Sequence, residues 1–349
     1  MMRGFVSSSI LFLSAIFFLC GIRASAQDNS NAIALYKSGE YIRAIKVCDL
    51  LIKANKHDTE AYIYQGLSKE KIKDFKGARK DFKKVSKLSP KDATAHFQLG
   101  VLWSETEDYY HSIKEYTKAI KLDSSYAVAY NNRGNSEYLV GDSRSAMLDF
   151  TLSGKADTTY PDPFYNRGHL KMVLGKYQEA INDFSRAIAL APNDADAWFS
   201  RGQAYDNIND AKNAVNDYNN VIAIDSGYMD AYYFRGSDFT KLNHPQLAMW
   251  DITILIQSDS TDYSLRYMRG IAFDSLGEYK EAITDFTVAL KLKSDDGQSY
   301  YGRGYAYLKS GQTAQACDDF NIAYYYGVQD ARKFLDVNCR RAVKFYQRH

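Results

Sequence analysis

The sequence predicts an all-α chain of antiparallel helix pairs stacked with a 34-residue period, and three columns of residues predict it. Glycine stands at 66, 100, 134, 168, 202, 236, 270 and 304, each 34 residues after the last. Twelve positions later come the small residues Ala78, Ser112, Ala146, Ala180, Ala214, Ala248, Ala282 and Ala316. Four further on stand Phe82, Tyr116, Phe150, Phe184, Tyr218, Ile252, Phe286 and Phe320. A fixed period of this length marks a repeat array, in which each copy buries its apolar face only against its neighbours.

Composition agrees with this. Apolar residues make up 46% of the chain and aromatics 14%, which excludes a disordered polymer. Only 5 of 349 residues are proline, leaving room for many uninterrupted helices. Tyrosine is abundant, at 29 residues, and suits positions that pack on one side and reach water on the other.

Unit 161–194 shows the expected hairpin. Phe164, Tyr165, Gly168, Leu170, Val173 and Leu174 follow helical spacing, and Gly175 ends that helix. A second helix runs from Tyr177 through Ala180, Ile181, Phe184, Ala187 and Ile188 to Leu190, and Pro192-Asn193-Asp194 turns the chain toward the next unit. Gly168 and Ala180 are small where the two helices cross, because a larger side chain separates the backbones. Phe184 is expected to fill the space between successive hairpins.

The period, the glycine and alanine columns and the aromatic that follows them resemble the tetratricopeptide repeat (TPR) family over nearly the whole chain after residue 26. The resemblance implies a right-handed superhelical solenoid with a concave groove lined by first helices, which commonly engages a segment of a partner. Thr158, Ser226 and Ser260 depart from the pattern where Pro90 and Pro192 close other units, which bears on turn rigidity rather than fold.

Taken in order, residues 1–26 read as a secretory signal peptide. Arg3 precedes an apolar run from Ile10 to Cys20, and Ala24-Ser25-Ala26 supplies a small-residue cleavage site. As a membrane anchor the run is short, spanning about 16 Å of helix where a bilayer core takes roughly twenty residues. Lipid attachment at Cys20 is a further alternative, but Phe17-Phe18-Leu19 resembles a lipoprotein signal poorly. Export to a periplasm or the extracellular space is therefore expected. A degenerate first repeat occupies 27–58, with Gly39, Tyr41, Ala44 and Leu51 in phase. Eight units follow at 59–92, 93–126, 127–160, 161–194, 195–228, 229–262, 263–296 and 297–330. Residues 331–349, with Phe334, Leu335, Val343 and Phe345, form an amphipathic capping helix; contact of its basic face with an acidic membrane or partner is the alternative.

Nothing in the sequence builds an active site. Histidines at 57, 96, 111, 169, 244 and 349 include no pair at zinc-binding helical spacing. His96 shares a column with Tyr62, Tyr130 and Trp198 and reads as a packed residue. Gly302-Arg303-Gly304 lies inside a helix and is no phosphate loop, and no serine sits in a nucleophile elbow. No cofactor, metal or catalytic residue is expected. Asp81, Glu115, Asp149, Asp183, Asp217, Asp251, Asp285 and Asp319 recur before the core aromatic, and Arg133, Arg167, Arg201, Arg235, Arg269 and Arg303 before the repeat glycine. Columns of this kind read as interhelical or inter-repeat ion pairs.

Cys48 falls in the core column as a small buried hydrophobe, while Cys317 and Cys339 are candidates for a disulfide pinning the C-terminal helix. One joint is expected to be weak. Gly154 stands where other units place Ile120, Ile188, Ile222, Ile256 or Leu290, and Ala156 replaces a Leu or Ile. The loss is on the order of 3 kcal/mol of packing, so residues 154–163 are expected to let the two halves shift.

The expected function is a non-enzymatic scaffold for protein–protein interaction; a regulatory or assembly subunit of an envelope enzyme or secretion complex, and a structural spacer, are the alternatives. In the TPR resemblance the fifth residue of each unit faces the groove, and here that column is Ile63, Phe97, Asn131, Tyr165, Phe199, Tyr233, Tyr267 and Tyr301. The aromatics either face a partner or pack between helices. With Asn135, Asn166, His169 and Gln203 nearby, the mixture suits an extended peptide held by aromatic and amide contacts, a carbohydrate being the lesser option. TPR domains that clamp a partner's terminal carboxylate use lysine and asparagine on one first helix, asparagine on the next and basic residues on a third. Asn135 and Asn166 match, but Asn131 replaces the lysine, and Asp196 and Ser200 replace the basic residues. No carboxylate clamp is expected; instead a partner segment crosses 131–269 through apolar and neutral polar contacts. Removing residues 1–26 leaves 42 basic and 42 acidic residues, a balance that argues against a nucleic-acid binder. Residues 28–92 carry 15 basic against 9 acidic residues and 195–262 carry 4 against 10. An acidic ligand is favoured on the first stretch and a basic or neutral one, near Asp196 and Asp230, on the second, so a long partner with a charge gradient satisfies both.

Overall fold

The computed structural model describes residues 29–339. The leader expected over 1–26, the lipid alternative at Cys20, and the end of the C-terminal stretch with Val343 and Phe345 lie outside the described residues. Among the described residues there are nineteen α-helices and no strand, packed as antiparallel pairs with a period of about 34 residues. They fall into two compact units that divide after Leu170.

The first unit holds α1 (Ser30–Lys37), α2 (Tyr41–Ala54), α3 (Thr59–Lys71), α4 (Phe75–Leu88), α5 (Thr94–Glu105), α6 (Tyr109–Leu122), α7 (Ala127–Leu139), α8 (Ser143–Ala156) and most of α9 (Asp162–Val173). The second holds α10 (Tyr177–Leu190), α11 (Ala195–Asn207), α12 (Ala211–Ile224), α13 (Met229–Lys241), α14 (Pro245–Ser258), α15 (Tyr263–Ser275), α16 (Tyr279–Leu292), α17 (Gly297–Lys309), α18 (Thr313–Tyr325) and α19 (Ala331–Asn338).

Each hairpin turn is set by two adjacent positions. The first takes the left-handed conformation, at Gly39, Lys73, Glu107, Gly141, Gly175, Asn209, Asn243, Gly277 and Gly311. The next residue opens the second helix. In four turns it is aspartate, and Asp74, Asp108, Asp142 and Asp210 each accept a hydrogen bond from a backbone N–H of the first turn.

The glycine column lets an aromatic ring lie against helix backbone. A Cβ on Gly202 would stand 2.7 Å from the Tyr218 ring. Phe286 lies between its own unit's Gly270 and the next unit's Gly302, each also 2.7 Å from it by that measure, so the ring fills the space between successive hairpins. Gly154 corrects one expectation. It leaves no gap, because the Phe164 ring occupies the missing side chain's place, with Cζ 3.0 Å from where a Cβ would stand. The ring of the next repeat closes the contact.

The arginine and aspartate columns form a repeated device. Arg133, Arg201, Arg235, Arg269 and Arg303 each donate two hydrogen bonds to the aspartate sixteen residues on, at 2.6–2.9 Å. The remaining guanidinium nitrogen reaches back to the preceding repeat. It donates to Thr117, Ser185, Asn219, Thr253 and Thr287 from those five arginines in turn, and Arg167 donates likewise to Thr151, at 2.7–3.4 Å. Aromatic faces hold the guanidinium plane, as where Arg201 lies 4.8 Å from the Trp198 ring and 5.9 Å from the Tyr205 ring. Each of the five thus joins three helices of two repeats. Where the arginine is absent the acid is held otherwise: Lys69 donates to Asp81 at 2.6 Å, and His96 and Lys118 both lie 2.7 Å from Glu115.

At the C-terminal end Cys317 and Cys339 form a disulfide that ties α18 to the end of α19. Phe334 stacks on Phe320 with centroids 4.9 Å apart. Cys48 is buried, and burial pushes its thiol pKa up to about 12.

Candidate partner-binding surface

The fifth-position residues occupy two environments, built by the chain that follows them. Twenty-nine residues after Phe97, Asn131 and Phe199 the sequence places Tyr126, Tyr160 and Tyr228. Phe97 lies 4.9 Å from the Tyr126 ring and 5.7 Å from Tyr116. Phe199 touches Tyr228, Phe234 and Tyr218, at 5.0, 5.6 and 5.7 Å between centroids. Tyr267 rests on Phe286, and Tyr301 on Phe320 and Phe334, each at 5.9 Å. All four rings are half-buried, with one side on the core. Burial raises the phenol pKa values of Tyr267 and Tyr301.

Asn131 is only 3% exposed. Its Nδ2 donates to the Tyr160 hydroxyl at 3.3 Å, and its Oδ1 accepts from Asn166 Nδ2 at 2.9 Å. Those bonds fix the Asn166 amide across two consecutive first helices, α7 and α9. Asn135 is half-buried, while His169 is exposed beside the Tyr165 ring, 4.5 Å away edge-on.

In the second unit Tyr233 is the most open of the column, 40% exposed, with its ring edge-on to Phe234 at 5.6 Å. Gln203 is half-buried on α11. Asp196 is exposed and accepts from the Tyr228 hydroxyl at 3.0 Å, and Ser200 is buried. The two positions that a carboxylate clamp would fill with cations therefore hold an anion and a hidden hydroxyl.

Sequence reasoning missed the Thr/Ser/Asn column that receives the arginines and the tyrosines that cover the fifth position. The first was present as a 34-residue column directly after the core aromatic, and the second at the last position of three units, where the others end in aspartate. Among the described residues no group of His, Cys, Asp or Glu is placed to hold a metal ion, and no helix is long and apolar enough to cross a membrane.

Family models match three stretches of the chain. A family model described as TPR repeat matches residues 168–209 and 270–311, and one described as tetratricopeptide repeat matches 93–126 and 195–228. These stretches carry TPR repeats. No curated protein matches the sequence. Among solved structures, PilF of Pseudomonas aeruginosa is 20% identical with a TM-score of 0.51, over 58% of this chain and 92% of that one. YrrB, described as a TPR protein with an unusual peptide-binding site, is 19% identical with a TM-score of 0.48, over 52% and 93%. A tetratricopeptide repeat protein from Parabacteroides merdae is 17% identical with a TM-score of 0.47, over 71% and 99%. At these identities the likeness is one of TPR fold alone.

Proposed function

We propose that this TPR chain is a non-enzymatic scaffold whose first helices hold an extended segment of another protein. The observation that carries the reading is the half-buried aromatic column. Rings anchored on the core and open on the other side lose little freedom on binding, and the half-buried side-chain amides of Asn135 and Gln203 beside them suit a peptide backbone. Tyr233, with the greatest exposure in the column, marks where contact begins in the second unit. The acidic excess over 195–262 favours a basic or neutral segment there.

Site-specific photocrosslinking tests this. A benzoylphenylalanine in place of Tyr165 or Tyr233 is expected to trap a partner in the native cell. The same group in place of Tyr110 or Trp250, which are exposed on second helices, is not. Equal trapping from all four positions would remove the first helices from the reading.

We infer export as well. The Cys317–Cys339 disulfide suits an oxidising compartment and supports the leader read from residues 1–26. N-terminal sequencing of the protein from its native host is expected to begin at Gln27; a start at Met1 excludes cleavage.

A further inference from the structure

Helix α4 differs from the other second helices on its outward side. Lys76, Arg79, Lys80, Lys83, Lys84 and Lys87 line an open cleft of about 610 Å³, with Tyr62 and Asp81 completing the lining. The one acid of the helix, Asp81, is buried and engaged by Lys69. None of the six cations forms an ion pair among the described residues.

The scaffold does not call for these charges. The equivalents of Arg79 are the apolar Ile113, Met147, Ile181, Val215, Met249 and Ile283, and the disulfide-bonded Cys317. At Lys83 other units carry the Thr, Ser or Asn that receives the next repeat's arginine. Helix α4 needs no such acceptor, because the following unit has Leu99 in the arginine's place. Arg79 instead lies over the Trp103 ring, 4.5 Å from its centroid.

We propose that the cleft along α4 binds an acidic segment, rich in Asp and Glu, of a partner protein. From Lys76 to Lys87 the helix rises about 16 Å, the length of about five residues of extended chain. A cleft of this volume takes a short stretch of peptide, whereas a bilayer or a duplex presents a broad surface. Helix α4 exposes no large apolar side chain to enter a membrane. The cations repel one another until carboxylates neutralise them, and their summed field steers an acidic segment toward the cleft. The inference rests on the scaffold reading but uses a second-helix face.

Fluorescence anisotropy with fluorescein-labelled octaglutamate tests it on the purified protein. Lys80→Ala/Lys83→Ala/Lys84→Ala is expected to weaken binding about tenfold with an unchanged melting temperature, and added salt to weaken binding by the parent. Lys80→Glu alone weakens it in the same direction. Lys280→Ala/Lys291→Ala on α16 and Tyr165→Ala/Tyr233→Ala on the first helices leave it unchanged. Absence of binding by the parent, an equal loss in either control, or no loss in the triple variant overturns the proposal. So does retention on phosphatidylserine vesicles without octaglutamate binding, which assigns the face to a membrane.

Discussion

The guanidinium of Arg201 donates to both carboxylate oxygens of Asp217, at 2.8 Å each, across the two helices of one hairpin. The pair is nearly closed to water, with 17% of the arginine side chain and 4% of the aspartate side chain exposed. Removing one partner leaves a buried charge without its counterpart, the costly way to break such a pair. Arg201→Met is expected to lower stability by about 3 kcal/mol. Denaturant melts of Arg201→Met, Asp217→Asn and the double variant measure it, and the double variant is expected to lose less than the sum of the singles.

Glu107 adopts φ 59° in a turn where five other units place glycine. A left-handed conformation costs a side-chain-bearing residue about 1–2 kcal/mol, and the extra freedom of unfolded glycine returns part of that. Glu107→Gly is expected to stabilise the protein by about 0.5–1 kcal/mol. Gly141→Ala, at φ 89°, is expected to destabilise it by a similar amount. Equal denaturation midpoints for Glu107→Gly and the parent would show that the strain is relieved elsewhere.

Asp238 is fully buried, and burial with the neighbouring carboxylate of Asp206 raises its pKa to about 7, against the pull of Lys241. Burial and the charge of Asp149 likewise raise Glu137 to about 7. A carboxyl that holds its proton more tightly folded than unfolded gives stability that is complete below about pH 4, the unfolded value. That stability declines as pH rises and is gone above the folded value. The parent is therefore expected to melt at a lower temperature at about pH 8 than at about pH 5. Asp238→Asn/Glu137→Gln, neutral throughout, is expected to flatten the difference; an unchanged difference assigns it to other groups.

The Cys317–Cys339 bridge closes a loop with a sequence separation of 22. On a loop-entropy account that is worth about 3 kcal/mol. Reduction is expected to speed hydrogen exchange in α18 and α19 while leaving α11–α14 unchanged. Exchange that rises evenly through the second unit instead makes that unit a single cooperative block.

The repeat was legible because close packing repeats the same small-against-large contact, and only glycine and alanine meet it at Gly202 or Ala214. Legibility stopped where a residue of the next repeat closes the contact. Gly154 read as a defect because its compensating Phe164 lies ten residues on, in a column that holds tyrosine or tryptophan in several other units. At the fifth position sequence left groove and core as alternatives. Phe199 shows the physical reason, being a ring that packs on three others and still keeps an open side. Asn131 looked like its neighbours in sequence, and only Tyr160, twenty-nine residues away, makes it a buried linker.

The backward reach of each arginine makes most of these repeats interchangeable cassettes. A 34-residue copy with its own arginine and its own hydroxyl or amide, such as 195–228, brings both halves of the inter-repeat contact with it. Duplicated within the array, it restores the contact at each new junction, so the chain can lengthen without new pairings being invented. The copy 59–92 cannot be moved in this way. Gln65 stands at its arginine position and donates to Asp49 at 2.7 Å, and Lys83 stands where the next arginine would need an acceptor. Transplanted elsewhere, it would leave one hydroxyl without its donor and set two cations face to face. That copy is bound to its place in the chain, and it is the one whose second helix carries the six cations of the cleft.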